Sequence, residues 1–189
     1  MKRKGKNSNY KISFETEKKK GISKKTVIII IAAVLAVSLI IGVILYALNS
    51  RFPSPDFTVY EVDGEAVSLS EFKGKPIVVN IWASWCYYCV KEMPSFQMMY
   101  DKYGDEVIFL MVNATDGKEE TKESAVGFCE EGGYTFPIYL DLNNHASTVY
   151  EAEGLPKTVF FDRSGNVSYS HSGMISETAL EAQIRKILN

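Results

Sequence analysis

The chain has 189 residues, 46% apolar and 12% aromatic, enough to bury one full-sized core and too few for two. Three cysteines are too few for a disulfide scaffold. Residues 1–25 carry ten Lys or Arg against Glu15 and Glu17, a charge of +8, so the other 11 basic and 21 acidic residues leave −10 from Thr26 onward within a total of −2; an acidic main body argues against nucleic acid as partner, because phosphate calls for a basic face.

Residues 1–25 are Lys-rich and poor in apolar side chains, the composition of a tail that builds no core. Thr26 to Leu48 is an uncharged stretch of 23 residues, long enough as a helix to cross a hydrocarbon layer of roughly 30 Å, and it is expected to be a transmembrane anchor. It is longer than the apolar segment of a signal peptide, and no small-x-small cleavage site follows it. Ten basic residues precede the span and only Arg51 lies close behind it, so the positive-inside rule puts the tail in the cytoplasm and the rest outside. Residues 49–55, with Pro53 and Pro55, read as a short linker, which leaves 56–189 as the exported domain.

Within that domain Phe57–Val62 and Ala66–Leu69 flank Asp63-Gly64, a hairpin signal. Ser70-Glu71-Phe72 reads as one helical turn stopped by Gly74 and Pro76. Ile77–Trp82 is a continuous β-prone run, as expected of a strand buried on both faces. A helix from near Tyr87 carries Val90, Met93, Phe96, Gln97 and Tyr100 at helical spacing and is expected to kink at Pro94. Strands are expected at Val107–Val112, Ile138–Leu140, Thr158–Phe161 and Val167–Ser170. Helices are expected at Glu119–Glu131, His145–Glu151 and Glu177–Leu188; the last has Leu180, Ile184, Ile187 and Leu188 on one face. Strands alternating with helices and closing in a hairpin plus helix imply an α/β sandwich around one sheet.

The chemistry lies in Trp85-Cys86-Tyr87-Tyr88-Cys89, between the apolar strand and the helix. Free amides at a helix amino end stabilise a thiolate, so Cys86, the outer thiol, is expected to be the nucleophile, and Cys89, one turn further in, the resolving thiol. Such a pair exchanges two electrons with no metal and no organic cofactor. The plainer alternatives are half a zinc site completed by Cys129, His145 and His171, and a structural disulfide. The other zinc ligands are scattered singly, and so small a loop removes little entropy from the unfolded chain.

From Asp56 to the end, about 134 residues, the chain resembles the membrane-anchored thioredoxin-like thiol-disulfide oxidoreductases that act outside the cytoplasm, the group that includes cytochrome c maturation reductases. The residues that carry the resemblance are Asp63-Gly64, Gly74-Lys75-Pro76, Asn80 through Trp85 to Cys89, Glu92-Met93-Pro94, Tyr150 through Gly154-Leu155-Pro156 to Phe161-Asp162, and Ser164-Gly165. It implies a thioredoxin-like fold with an amino-terminal β-hairpin and a central strand-helix insert at about Asn113–Pro137.

The resemblance also implies roles. Pro156 matches the family's cis-proline, whose loop faces the cysteines and lets the backbone of Leu155 pair with an extended substrate. Trp85 would limit access to the thiols, and Tyr87 and Tyr88 would help set their potential. Glu92 matches an acidic residue beside the thiols, placed to exchange a proton with Cys89, against the plainer reading of a solvated helix Glu. Asn80 stands where ordinary thioredoxins bury an Asp and cannot titrate, which leaves proton duty to Glu92. Lys157 replaces a common Thr and is expected to be solvent-exposed, Cys129 to be a small core residue, and neither His145 nor His171 to serve the site. The activity implied is reduction or isomerisation of disulfides in exported proteins, with a polytopic membrane thiol-relay protein as electron donor. A disulfide-introducing oxidant and a binding module without turnover are the competing readings.

Overall fold

The computed structural model describes residues 23–49 and 53–189, in two compact units divided after Asn49. The basic tail up to residue 22 and the middle of the expected linker lie outside the described residues. In the first unit α1 (Lys24–Asn49) is capped by Ser23, whose Oγ accepts from the Thr26 N–H at 3.2 Å. Its apolar side chains from Val27 to Ile44 are exposed. The stretch Lys24–Ile44 is long and apolar enough to cross a membrane.

The second unit is built on a sheet of seven strands among the described residues. These are β1 (Thr58–Tyr60), β2 (Ala66–Ser68), β3 (Ile77–Trp82), β4 (Ile108–Asn113), β5 (Ile138–Leu140), β6 (Lys157–Phe161) and β7 (Val167–Ser172), in the order β2-β1-β5-β4-β3-β6-β7. The pairs β3/β4 and β4/β5 are parallel, and the others are antiparallel. Central β3 is buried along its whole length, as expected of a continuous β-prone run. Alternation sends Val78 and Trp82 into one core with Cys89, Met93, Phe96, Leu180 and Ile184. Ile77, Val79 and Ile81 go into the other with Phe57, Leu110 and Phe161. Asn80 shares the parity of Val78 and Trp82 and so points towards the first core.

The helices are α2 (Tyr87–Tyr103), α3 (Lys122–Gly132), α4 (His145–Val149) and α5 (Glu177–Leu188), with a 3-10 turn at Leu69–Phe72. The inner stripe of α2 is Cys89, Glu92, Met93, Phe96, Met99 and Tyr103. The expected positions Val90, Gln97 and Tyr100 are only half-buried, because a full turn of 3.6 residues carries them to the flank. The helix runs unbroken across Pro94, which is exposed. On α5, Leu180, Ile184 and Ile187 are buried, and Ser176 caps its start. Glu181 ties α5 to α2, accepting from Lys102 Nζ at 2.7 Å and Tyr103 OH at 2.8 Å.

Some boundaries hold and others shift from expectation. The second long helix begins at Lys122 and not at Glu119, because Asp116 Oδ1 accepts from the backbone N–H groups of Lys118, Glu119 and Glu120 and folds them into a turn. Thr121 is then the cap, its Oγ1 accepting from Ser124 N at 3.1 Å. The strand beyond that helix, β5, stands at the expected Ile138–Leu140 and pairs with both β4 and β1. Finally, β7 runs two residues past Ser170 because its antiparallel register with β6 extends from Phe161↔Val167 to Lys157↔Ser172.

Candidate active site

Strand β3 ends in the loop Ala83-Ser84-Trp85, and Cys86 caps α2 from an extended conformation. The backbone N–H of Cys86 is held by Ala83 O at 3.2 Å, and Cys86 Sγ accepts from the Cys89 N–H at 3.2 Å. The two sulfurs form a disulfide between Cα atoms 5.2 Å apart. Cys86 keeps 6% of its surface exposed and Cys89 none. Trp85, Tyr87 and Tyr88, the neighbours of Cys86 in sequence, are 59%, 66% and 58% exposed. The two tyrosine rings meet edge to face at 5.4 Å, and Lys91 Nζ lies 5.5 Å from the Tyr87 ring. Cys86 thus keeps a little exposed surface, flanked in sequence by exposed aromatics.

Below the disulfide, Glu92 lies one helical turn after Cys89 and is 2% exposed, so it is not a solvated helix Glu. Its Oε1 accepts from Asn80 Nδ2 at 2.8 Å and its Oε2 from the Ile175 backbone N–H at 2.9 Å. Burial pushes its carboxyl up from 4.5 to about 7, while those two hydrogen bonds pull the other way without cancelling it. A carboxyl of that acidity has the protonation range that proton exchange near neutral pH requires.

The Leu155–Pro156 peptide bond is cis. Pro156 is buried, and Leu155 is half-buried against the core that holds both cysteines. Pro156 O accepts from Gly173 N at 2.8 Å, which fastens this loop to the end of β7. Lys157 departs from expectation: it is half-buried, and its Nζ donates to Ser172 Oγ at 3.0 Å across the β6/β7 pair. Antiparallel pairing places the two side chains on one face of the sheet, and this holds the ammonium.

The remaining candidates stand elsewhere. Cys129 is a buried free thiol on α3, pushed up to about 12 by burial and by the Glu120 charge. His145 Nδ1 accepts from the Thr58 N–H at 3.1 Å, and His171 Nε2 lies 3.2 Å from Met174 O.

Two features escape sequence reading. Glu120, from the turn before α3, is 1% exposed and reaches the active-site loop: Oε1 accepts from Ser84 N at 3.1 Å and Asn113 Nδ2 at 2.6 Å, and Oε2 from Ser84 Oγ at 2.8 Å. Thr115 Oγ1 closes the group by donating to Asn113 Oδ1 at 2.6 Å. Thr158, two residues after Pro156, is fully buried and accepts from Asn80 Nδ2 at 3.1 Å. The capping pattern Thr121-x-x-Ser124 was a legible signal that left Glu120 outside the helix.

A family model described as Redoxin matches residues 48–188. The chain is similar to the thiol-disulfide oxidoreductase ResA of Geobacillus kaustophilus (strain HTA426), with 32% identity over 135 residues, 71% of this chain and 75% of that protein. It is similar to the thioredoxin-like protein YneN of Bacillus subtilis (strain 168), with 30% identity over 131 residues, 69% of this chain and 76% of the relative. Among solved structures, StoA from Bacillus subtilis superposes with a TM-score of 0.60 at 26% identity, covering 71% of this chain and 99% of StoA.

Proposed function

We propose, since this chain belongs to the Redoxin family and is a thiol-disulfide oxidoreductase of thioredoxin-like fold, that it works as a membrane-tethered reductant or isomerase of disulfides in exported proteins. The observation that carries this reading is the Cys86–Cys89 disulfide at the amino end of α2, with the buried Glu92 one turn behind it. The tether is α1, and the basic residues ahead of it favour an extracytoplasmic position for the domain.

In the reducing direction the dithiol form acts first. The Cys86 thiolate, stabilised by the helix amino end and the Cys89 N–H, attacks one sulfur of a substrate disulfide. An S–S bond forms between Cys86 and the substrate, and the other substrate sulfur leaves as a thiolate. Cys89 then gives its proton to the Glu92 carboxylate and attacks Cys86 Sγ. The Cys86–Cys89 bond forms, the mixed disulfide breaks and the second substrate sulfur leaves as a thiolate; the two substrate thiolates take up two protons from water, Glu92 returns its proton to solvent, and the substrate departs as a dithiol two electrons richer. The disulfide itself is the electron carrier, with no metal or organic cofactor taking part. Leu155 and Pro156, with Trp85, Tyr87 and Tyr88, bound the surface on which an extended substrate segment lies.

Recharging the disulfide needs two electrons and two protons. A polytopic membrane protein that relays thiols from the cytoplasmic side fits, because cytosolic reductants do not cross the membrane. The test is trapping in cells. Cys89→Ala should accumulate mixed disulfides through Cys86 with exported proteins, recovered in the membrane fraction, and Cys86→Ala should accumulate far fewer. Equal or absent trapping in the two variants would overturn the assignment of the two thiols.

A further inference from the structure

Asn80 is fully buried on β3, and its amide nitrogen donates twice, to Glu92 Oε1 at 2.8 Å and to Thr158 Oγ1 at 3.1 Å. Its amide oxygen is also buried and has no hydrogen-bond partner among the described residues. Buried polar atoms without partners are uncommon, and each calls for a physical reason. The partners of Glu92 supply one. Both its oxygens face N–H donors, Asn80 Nδ2 on one side and Ile175 N on the other, which is the environment of a carboxylate that only accepts.

A protonated Glu92 has a hydrogen to donate, and both of these neighbours already present hydrogens. Turning the Asn80 amide by about 180° removes the conflict, because an amide offers an acceptor at one end and donors at the other. Oδ1 then lies where Nδ2 lay and accepts from the Glu92 O–H. The Thr158 hydroxyl, both donor and acceptor, reverses its part and donates to the same oxygen. The observed orientation leaves the amide oxygen without a partner and the turned one leaves the amide NH2 without one, the costlier defect, so the turned orientation is populated only when the proton on Glu92 is there to bond.

We propose that Asn80 is a positioning residue whose side-chain amide has two orientations, one for each protonation state of Glu92, and which passes that state to Thr158 in the strand that follows Pro156. The inference rests on Glu92 as the proton acceptor for Cys89. When that proton arrives the amide turns, and the change reaches the substrate-facing loop through Thr158. Few other groups confuse the response. On α2 Cys86 and Cys89 are held as a disulfide and do not titrate; β3 and β6 present neutral Asn80 and Thr158, and the segment before α5 presents the Ile175 amide. Among the described residues no charged side chain contributes to the acidity of Glu92.

The experiment follows the Glu92 carboxyl ¹³C shift against pH in the full chain, in detergent, with the disulfide intact. Asn80→Ala removes a donor from the carboxylate and should raise the midpoint by about one pH unit, tenfold in proton affinity. Thr158→Val should also raise it, by less, although Thr158 does not touch Glu92. Without that acceptor one N–H of the ionised-state amide is left unpaired, a costlier defect than an under-satisfied carbonyl. A space-filling role for Thr158 would leave the midpoint where it is. An unmoved midpoint in either variant overturns the proposal, and Thr158→Val decides alone if Asn80→Ala does not fold. Failure of the proton-acceptor reading is separate: it would appear as a Glu92→Gln variant whose exchange rate keeps the wild-type pH profile.

Discussion

Glu92 Oε2 accepts a 2.9 Å hydrogen bond from the backbone N–H of Ile175, joining the helix that carries the disulfide to the segment that leads into α5. The bond helps to hold a carboxyl inside the core at a cost that depends on pH. Below 4.5 the group is protonated in folded and unfolded chains alike and carries no penalty. Between 4.5 and about 7 the unfolded chain ionises while the folded chain keeps its proton, so stability falls as pH rises. Above that window the loss is complete, on the order of 3 kcal/mol. Denaturant unfolding across this range should show the wild type losing that amount relative to Glu92→Gln. A constant difference would mean that Glu92 does not titrate in the core.

The two thiols of the reduced protein should differ in reactivity. Cys86 caps the helix, accepts the Cys89 N–H and reaches the surface, while Cys89 is fully buried. At pH values below the free-thiol pKa of roughly 8.5, iodoacetamide should label Cys86 at least about tenfold faster than Cys89. Cys129, buried and pushed up to about 12, should be the slowest of the three. Peptide mapping of a time course reads all three, and equal rates for Cys86 and Cys89 would remove the helix-end argument.

Glu120 clasps the loop that carries the nucleophile. Glu120→Ala would leave Ser84 N, Ser84 Oγ and Asn113 Nδ2 without their acceptor, which should cost about 3 kcal/mol of unfolding free energy. The loosened Ser84-Trp85 segment should also let Cys86 be alkylated faster in the native state. A neutral substitution would mean that water replaces the carboxylate without loss.

Much of this arrangement is legible in residue order, and the reasons differ by element. Ile77–Trp82 and Glu177–Leu188 fall where patterning puts them, because a doubly buried strand leaves a short continuous β-prone run and a one-sided helix leaves a clear 3.6-residue period. The cysteine pair is legible because its spacing carries its own chemistry. The helix-like reading of Glu119 and Glu120 failed because periodicity does not see a side chain such as Asp116 taking up successive backbone amides. The Glu120–Ser84 contact spans 36 residues and the Asn80–Thr158 contact 78, and polar contacts at such separations leave no local trace. Lys157 reads as exposed because its partner Ser172 becomes a neighbour only through the β6/β7 register.

The reducing direction is tested most directly by the reduction potential of the Cys86–Cys89 couple, measured by equilibration with glutathione or dithiothreitol. Strong oxidants of this fold sit near about −120 mV because their dithiol form is stabilised, whereas thioredoxin sits near about −270 mV. Here the thiolate at Cys86 has the helix end and the Cys89 N–H, aromatic neighbours add no positive charge, Lys157 Nζ is engaged by Ser172, and Lys91 Nζ lies over the Tyr87 ring. The account therefore expects a potential of roughly −250 mV or lower. A value near −120 mV would contradict it and identify the protein as an oxidant.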